Sequence, residues 1–137
     1  MKRPLMHDEA FLAQPARPAT AEDAHIAKDL LDTLYAHRKE CVGMAANMIG
    51  ENVAVICFDN DGAYMTMFNP VITEKRGAYS AEESCLSLLG GPRPVKRYEH
   101  ITVEYQTAAL RPMKRSFSGF TAQIIQHEVD HLAGILI

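Results

Sequence analysis

The segment Gln126-His127-Glu128-Val129-Asp130-His131 lies near the end of a chain of 137 residues and contains the pattern H-E-x-x-H. Residues four positions apart share one face of an α-helix, so His127 and His131 could bind a single metal ion. Glu128 follows the first of these histidines and could reach a water molecule bound to that ion. The segment therefore predicts a helix that carries most of a metal site.

The residues around this segment favour a helix. Ser118 or Thr121 can cap its start, Ile124 and Ile125 supply apolar turns, and Gly134 can end it. The same short pattern also arises by chance in helices whose two histidines are merely solvated. The metal interpretation therefore depends on finding a further ligand elsewhere in the chain.

A hydrolytic metal site needs three protein ligands and an open position. One common extension of the pattern places another histidine three residues beyond a glycine, but Ile137 occupies that position here. This argues against an H-E-x-x-H endopeptidase and predicts a third ligand upstream. Cys85 is the best candidate because polar and acidic residues surround it, whereas Cys57 lies in an apolar strand. A lone cysteine is more often a buried or free thiol, but a thiolate with two imidazoles suits a divalent transition metal.

Length and composition are those of a single domain, 1–137, with one core. Hydrophobic residues make up 47% of the chain and charged residues 23%, and a net charge of −3 gives no indication of nucleic-acid binding. No apolar run has the length of a membrane span, and the first residues do not form a signal peptide. Three cysteines cannot all pair, which fits a reducing cytoplasm.

The order of the predicted elements indicates an α+β fold, with mainly antiparallel sheets packed around a C-terminal metal-binding helix. Residues 1–19 are expected to form an extended arm, and Thr20 is expected to cap the first clear helix. The small residues of 41–50 predict a tight loop packed against the core, or a backbone that passes close to a ligand or a helix. Strands are predicted at 53–58, 64–68, 71–73, 101–105 and 113–117.

Three stretches, taken in this order, resemble the motifs of the peptide deformylase family. They are Gly43-Met44-Ala45-Ala46, Glu83-Ser84-Cys85-Leu86-Ser87 and Gln126-His127-Glu128-Val129-Asp130-His131-Leu132. The family carries G-x-G-L-A-A-x-Q, E-G-C-L-S and Q-H-E-x-D-H-L at these places. The early helix, the start of a strand at Asn69-Pro70 and the spacing between the motifs also fit. The resemblance therefore covers nearly the whole chain.

The resemblance implies a metal-dependent hydrolase that removes the N-terminal formyl group from formyl-methionine of nascent polypeptides, in the cytoplasm and close to the ribosome. It implies that Cys85, His127 and His131 bind one divalent ion, which is iron(II) in the family, with zinc, nickel or cobalt as substitutes. It also implies that Glu128 is the general acid/base and that the N–H of Leu86 helps to hold the developing oxyanion.

The resemblance further implies a groove for the formylated peptide, whose backbone pairs with the protein like an added strand. The residues that match positions of this groove are Val42, Gly43, Glu83, Ser84 and Met48. No nucleic-acid or membrane partner is expected, and neither the residues nor the resemblance indicates an oligomeric state.

Four residues depart from the family pattern. Cys41 replaces the first glycine, Met44 replaces leucine, Ser84 replaces the glycine before the ligand cysteine, and Met48 replaces glutamine. In the family that glutamine donates a hydrogen bond to the oxyanion, which a thioether cannot do. Asn47 could supply the missing donor if the loop shifts. The departures keep two further hypotheses open: a deformylase-like hydrolase with another amide substrate or low activity, and a metal-binding module without catalysis.

Overall fold

A computed structural model describes residues 1–85, 87 and 91–136 of the chain. In these residues five strands form one antiparallel sheet, in which each strand lies beside its neighbour in sequence. The strands are β1 (Gly43–Ala45), β2 (Val55–Asn60), β3 (Ala63–Glu83), β4 (Arg93–Gln106) and β5 (Pro112–Ser118). The α-helices of the same residues are α1 (Glu9–Leu12), α2 (Ala24–Ala36) and α3 (Gly119–Leu132), and none is long and apolar enough to cross a membrane. The predicted α+β class with antiparallel strands and a C-terminal helix is confirmed.

Strand β2 is buried on both faces, and this places the two long helices on opposite sides of the sheet. Successive side chains of a strand point to opposite faces. Val55 and Cys57 accordingly pack in a cluster with α2, whereas Ile56 and Phe58 pack in a second cluster with α3. All four are fully buried, and such burial contributes about 1.5–3 kcal/mol for each large apolar side chain. The prediction that Cys57 is a core residue is confirmed.

The predicted helix start at Thr20 is also confirmed, although a 3-10 turn, Ala21–Asp23, precedes α2. The hydroxyl of Thr20 accepts a hydrogen bond from the N–H of Glu22, and the Thr20 N–H donates to the carboxylate of Asp23 at 2.8 Å. These reciprocal bonds form a capping box, which satisfies N–H groups that the helix itself leaves unpaired.

The segment 41–50 is more regular than the predicted loop. It contains β1 and a 3-10 helix, Ala46–Ile49. Met44 and Met48 are buried in the cluster with α2, so the segment packs against the core as predicted. Gly50 ends the 3-10 helix at φ 85°, where glycine is the residue of lowest strain.

Strand β3 replaces two shorter strands that the sequence predicts on either side of Asn69-Pro70. Asn69 adopts a positive φ of 51°, and the register with β4 shifts between Phe68 and Val71. The side-chain amide of Asn69 pairs with the backbone of Ala19, which helps to hold this conformation. The two residues therefore form a bulge within one strand instead of ending it.

The N-terminal arm is tied to two segments that lie far away in sequence. The N–H of Met6 donates to the carbonyl of Met48 at 2.7 Å, and Nδ1 of His7 lies 3.1 Å from the carbonyl oxygen of Ser87. The expected arm is present, but it includes the short helix α1. Through these bonds the arm contacts the 3-10 helix Ala46–Ile49 and Ser87.

Helix α3 ends in a Schellman motif. The N–H of Gly134 donates to the carbonyl of His131 at 3.1 Å, and the N–H of Ile135 donates to that of Asp130 at 3.0 Å. Gly134 has a φ of 80°, and a Cβ atom at this position would overlap the backbone of Ala13. Glycine is therefore required here by its conformation and by the available space, as the sequence predicts for the end of the helix.

Replacing Gly134 by alanine should lower the free energy of unfolding by about 2–4 kcal/mol, the sum of left-handed strain and steric overlap. The control is Gly62→Ala, because Gly62 has a φ of 100° and no atom within 4 Å of its would-be Cβ. That variant should lose only the conformational part, about 1–2 kcal/mol. Urea denaturation of both variants measures the difference. Equal losses would mean that the contact with Ala13 contributes nothing.

Candidate metal centre

Cys85, His127 and His131 lie together, with their possible ligand atoms all within 4.8 Å of one another. Helix α3 supplies the two histidines from successive turns, and their ring centroids are 4.9 Å apart. Cys85 follows the end of β3, which runs back towards the helix. The fold thus brings to one place the three residues that the sequence predicts as ligands.

His131 is fully buried, and neither of its ring nitrogens has a hydrogen-bond partner among the described residues. Leaving a buried polar atom unpaired costs about 1–3 kcal/mol, so such atoms usually have a partner. Burial lowers the pKa of His131 to about 3, and the charges of His127 and Arg97 act in the same direction. A neutral imidazole with an available lone pair is the form that binds a transition metal.

His127 is oriented by the carboxylate of Glu83. Its Nδ1 lies 2.8 Å from Oε1 of Glu83. Burial alone would lower the pKa of His127, but the charge of Glu128 and hydrogen bonds with Cys85 and Glu83 raise it to about 10. The surroundings therefore favour positive charge at this ring, and a metal cation can supply that charge in place of a proton.

One sulfur and two imidazole nitrogens fit a divalent transition metal and leave a further position open. Glu128 lies beside this donor set, is 4% exposed, and has an Oε1 atom without a hydrogen-bond partner in the described part of the chain. Burial raises the pKa of Glu128 to about 7, while the charge of His127 opposes the rise. A carboxyl group that titrates near neutral pH suits general acid/base chemistry.

The carboxylate of Glu83 is held by three side chains. Arg97 donates to it through Nε and Nη2 at 2.7–3.1 Å, Gln123 donates at 3.0 Å, and His127 is the third partner. The remaining Nη1 of Arg97 donates to Asp130 at 2.6 Å. Burial alone would raise the pKa of Glu83, but its hydrogen bonds with His127, Arg97 and Gln123 lower it to about 2. The ionised carboxylate of Glu83 is thus fixed against Nδ1 of His127, a candidate metal ligand.

This geometry changes the interpretation of Glu83. The sequence analysis places it among the residues that bind the substrate, and it does border the cavity at the site. Its carboxylate, however, is already engaged by Arg97, Gln123 and His127. Glu83 therefore fits a residue that positions His127 better than one that binds the peptide directly.

A cavity of about 330 Å³ opens beside the donor atoms. All the residues predicted for the substrate groove line it, namely Val42, Gly43, Glu83, Ser84 and Met48. Leu86, whose N–H is predicted to help hold the oxyanion, lies outside the described residues. So does Ile137, which occupies the position of the further histidine in the common extension of the pattern.

Gly43 brings the edge of the sheet against the general-base candidate. A Cβ on Gly43 would lie 2.6 Å from Cγ2 of Ile124 and 3.0 Å from Oε2 of Glu128. Only glycine allows β1 to pass so close to α3 without displacing these side chains. The carbonyl of Gly43 accepts a hydrogen bond from the thiol of Cys41 at 2.9 Å.

Met48, which departs from the family pattern, and its neighbour Asn47 have different surroundings. Met48 is 1% exposed, and its Sδ lies 3.9 Å from Sγ of Cys85. Asn47 is fully buried, and its amide donates to the carbonyl of His131 at 2.9 Å. In this arrangement the amide of Asn47 is directed to the end of α3, so Asn47 could replace the missing donor only if the loop shifted, as the sequence analysis states.

Arg97, Gln123 and Gln126 also support the site. Arg97 and Gln123 lie in none of the three motifs, and Gln126 belongs to the third motif without a role that the sequence assigns. The amide of Gln126 pairs with the backbone N–H and carbonyl of Tyr98 at 2.9 and 2.8 Å, which fastens α3 to β4. The one signal for Arg97 is a charged residue at an inward-facing position of a strand. That signal needs the orientation of the strand, which the local sequence does not reveal.

Known proteins resemble this chain in sequence and in fold over nearly its whole length. The family model described as polypeptide deformylase matches residues 2–137. A peptide deformylase from Clostridium beijerinckii is 47% identical over 137 residues, which is the full length of both chains. The crystal structure of peptide deformylase from Thermus thermophilus is similar with a TM-score of 0.89 and 33% identity, over 99% of this chain and 83% of that one. A Met-ala-ser bound class I type b peptide deformylase from Acinetobacter baumannii gives 0.87 and 30%, over 99% and 96%.

Removing the charge of Glu83 tests its positioning role. Glu83→Gln keeps an oxygen that can accept from His127 but loses the ionised carboxylate, so zinc affinity should fall about 10–100-fold. The matched control is Glu82→Gln, which removes a charge from the exposed neighbouring residue. Competition with a zinc-binding dye measures both affinities. A Glu83→Gln affinity within about threefold of wild type would contradict a role through His127.

Proposed function

The chain belongs to the polypeptide deformylase family, and on this basis we propose that Cys85, His127 and His131 hold the metal ion with which it acts. It is a metal-dependent amide hydrolase that removes the N-terminal formyl group from formyl-methionine of nascent polypeptides. The observation that carries the ligand assignment is the buried His131, whose ring nitrogens have no hydrogen-bond partner among the described residues and lie beside the other two donors. The alternatives, another amide substrate or a module without catalysis, are not favoured, because the full-length relative is a peptide deformylase.

Glu128 is the proposed general acid/base. When bound, the ion supplies a Lewis acid that activates water and polarises the formyl carbonyl. Glu128 accepts a proton at its carboxylate as water attacks the formyl carbon, and it returns a proton to the leaving amine. Its pKa, raised by burial to about 7, suits both transfers at neutral pH. Glu83 and Arg97 keep the ring of His127 fixed during the reaction.

The proposed peptide site is the open edge of the sheet at β1. Within the described part of the chain this strand has a neighbouring strand on one side only, so Val42 and Gly43 can pair with the backbone of a peptide as an added strand. The thiol of Cys41 is a weak donor that a peptide N–H can replace at the Gly43 carbonyl. Phe120, which is 63% exposed, gives the cavity an apolar rim. The relative from Acinetobacter baumannii, with Met-ala-ser bound, supports a short methionine peptide as the ligand.

We propose iron(II) as the working ion, with zinc, nickel or cobalt as substitutes, because a thiolate and two imidazoles accept all of them. The three cysteines are free, which fits a reducing cytoplasm in which the chain meets formylated nascent peptides close to the ribosome. We also propose that 1–137 forms a single metallohydrolase domain.

The experiment that tests this function is turnover of formyl-Met-Ala-Ser by protein purified without oxygen. We expect about one ion per chain, mostly iron, and loss of that ion in Cys85→Ala. Glu128→Gln keeps the size of the side chain but not its proton exchange, so it should retain the metal and lose about 10²–10⁴ in kcat. Glu40→Gln, at an exposed position on the rim of the same cavity, is the control.

Three results would contradict parts of this proposal. Activity of Glu128→Gln within about tenfold of wild type would remove its role as general base. Full metal content in Cys85→Ala would show that the third ligand is another residue. No turnover by metal-loaded wild type would mean that formyl peptides are not its substrate.

Met48→Gln should raise kcat. The amide would restore a hydrogen-bond donor that acts mainly on the oxyanion of the transition state, so kcat should change more than KM. We expect a gain of at least about tenfold, below the roughly 10²–10³ typical for deleting such a donor, because the surroundings are shaped for a thioether. Met48→Leu, with neither donor nor sulfur, is the matched control. Assays at equal metal content measure the effect, and an unchanged kcat in Met48→Gln would show that another group already fills this role.

A further inference from the structure

The thioether of Met48 faces the candidate ligand Cys85 inside the cavity. The two sulfur atoms are 3.9 Å apart, and Met48 is almost completely buried. Two sulfur ligands at about 2.3 Å from one tetrahedral ion lie about 3.8 Å from each other. The observed separation therefore matches that of two ligands on one ion.

The backbone holds the sulfur of Met48 in this place. The N–H of Ala45 donates to Sδ at 3.5 Å, and the N–H of Met6 donates to the carbonyl of Met48 at 2.7 Å. A methionine side chain is otherwise flexible and adapts to many positions. Since a thioether has no proton to donate, the only polar chemistry that Met48 offers the cavity is a sulfur lone pair.

The thioether of Met48 and the other donor groups of the site differ in the metal ions that they prefer. Thiolate, imidazole and carboxylate are the usual ligands of zinc, and a thioether is not among them. Thiolate and thioether together favour a soft ion such as copper(I). Adding Met48 to Cys85, His127 and His131 thus changes the preference of the site and gives it four protein ligands.

We propose that Cys85, His127, His131 and Met48 form a copper(I)-binding site that overlaps the catalytic metal site. This inference rests on the ligand set proposed above and adds to it a fourth residue and a second ion. Copper(I) with four protein ligands has no position left for water or substrate. Copper(I) therefore competes with the working ion, and the copper(I) form does not hydrolyse formyl peptides.

The affinity for copper(I) tests the proposal. It is measured on the metal-free chain, without oxygen, by competition with a bicinchoninate chelator. Wild type should bind at least about tenfold more tightly than Met48→Leu and Met48→Gln, because both variants lack the thioether. The control Met67→Leu changes a fully buried methionine of the cluster with α3 and should stay within about threefold of wild type. Zinc affinity should change less than about threefold in all three variants.

X-ray absorption of the copper(I) forms gives a second readout that does not depend on activity. We expect two sulfur neighbours in wild type and one in Met48→Leu. Equal copper(I) affinities of wild type and both Met48 variants, or a single sulfur neighbour in wild type, would overturn the role of Met48. Either result leaves the three-residue site intact. Zinc affinity that Cys85→Ala does not change would instead overturn the proposed catalytic ligand set.

Discussion

The ion pair between Glu83 and Arg97 holds the sheet and helix α3 in one geometry. Both side chains are buried, so each charge loses hydration that the pair alone does not always restore. Here the planar guanidinium donates twice to Glu83 and once to Asp130, while His127 adds another hydrogen bond to the carboxylate. Because all these charges have partners, the network can be buried, and its geometry is fixed by several bonds at once.

Three elements meet at this network, and their meeting depends on the length of the hairpin formed by β3 and β4. Glu83 ends β3, Arg97 lies in β4, and Asp130 lies in α3. The long hairpin of β3 and β4 is needed to carry Glu83 and Cys85 from the core to the side of the helix. Gln126 fastens the same helix to β4 through the backbone of Tyr98. The two histidines are thus held by a helix with fixed neighbours, which is how rigid ligand geometry is usually achieved.

The sequence predicts the α3 helix, its Gly134 end, the α+β class and the set of ligand candidates, because these follow from spacing within short segments. It does not predict the role of Glu83, since that depends on Arg97 and Gln123, which come close only in the folded chain. The bulge at Asn69 escaped prediction for a similar reason. An Asn-Pro pair usually ends a strand, whereas here Asn69 is held by long-range bonds with Ala19 and Gln106 and the strand continues.

Replacing the family's glutamine by Met48 has two separate physical effects. The first concerns the transition state, because a thioether cannot donate to an oxyanion and the neighbouring amide of Asn47 is engaged by the carbonyl of His131. The second concerns the choice of ion, because the same thioether places a second sulfur beside Cys85. The first effect arises from a proton that the side chain lacks and the second from a lone pair that it offers. A leucine at this position would also lack the donor but would offer no lone pair, so it would keep the first effect and remove the second. The two effects can therefore be separated by chemistry at a single residue.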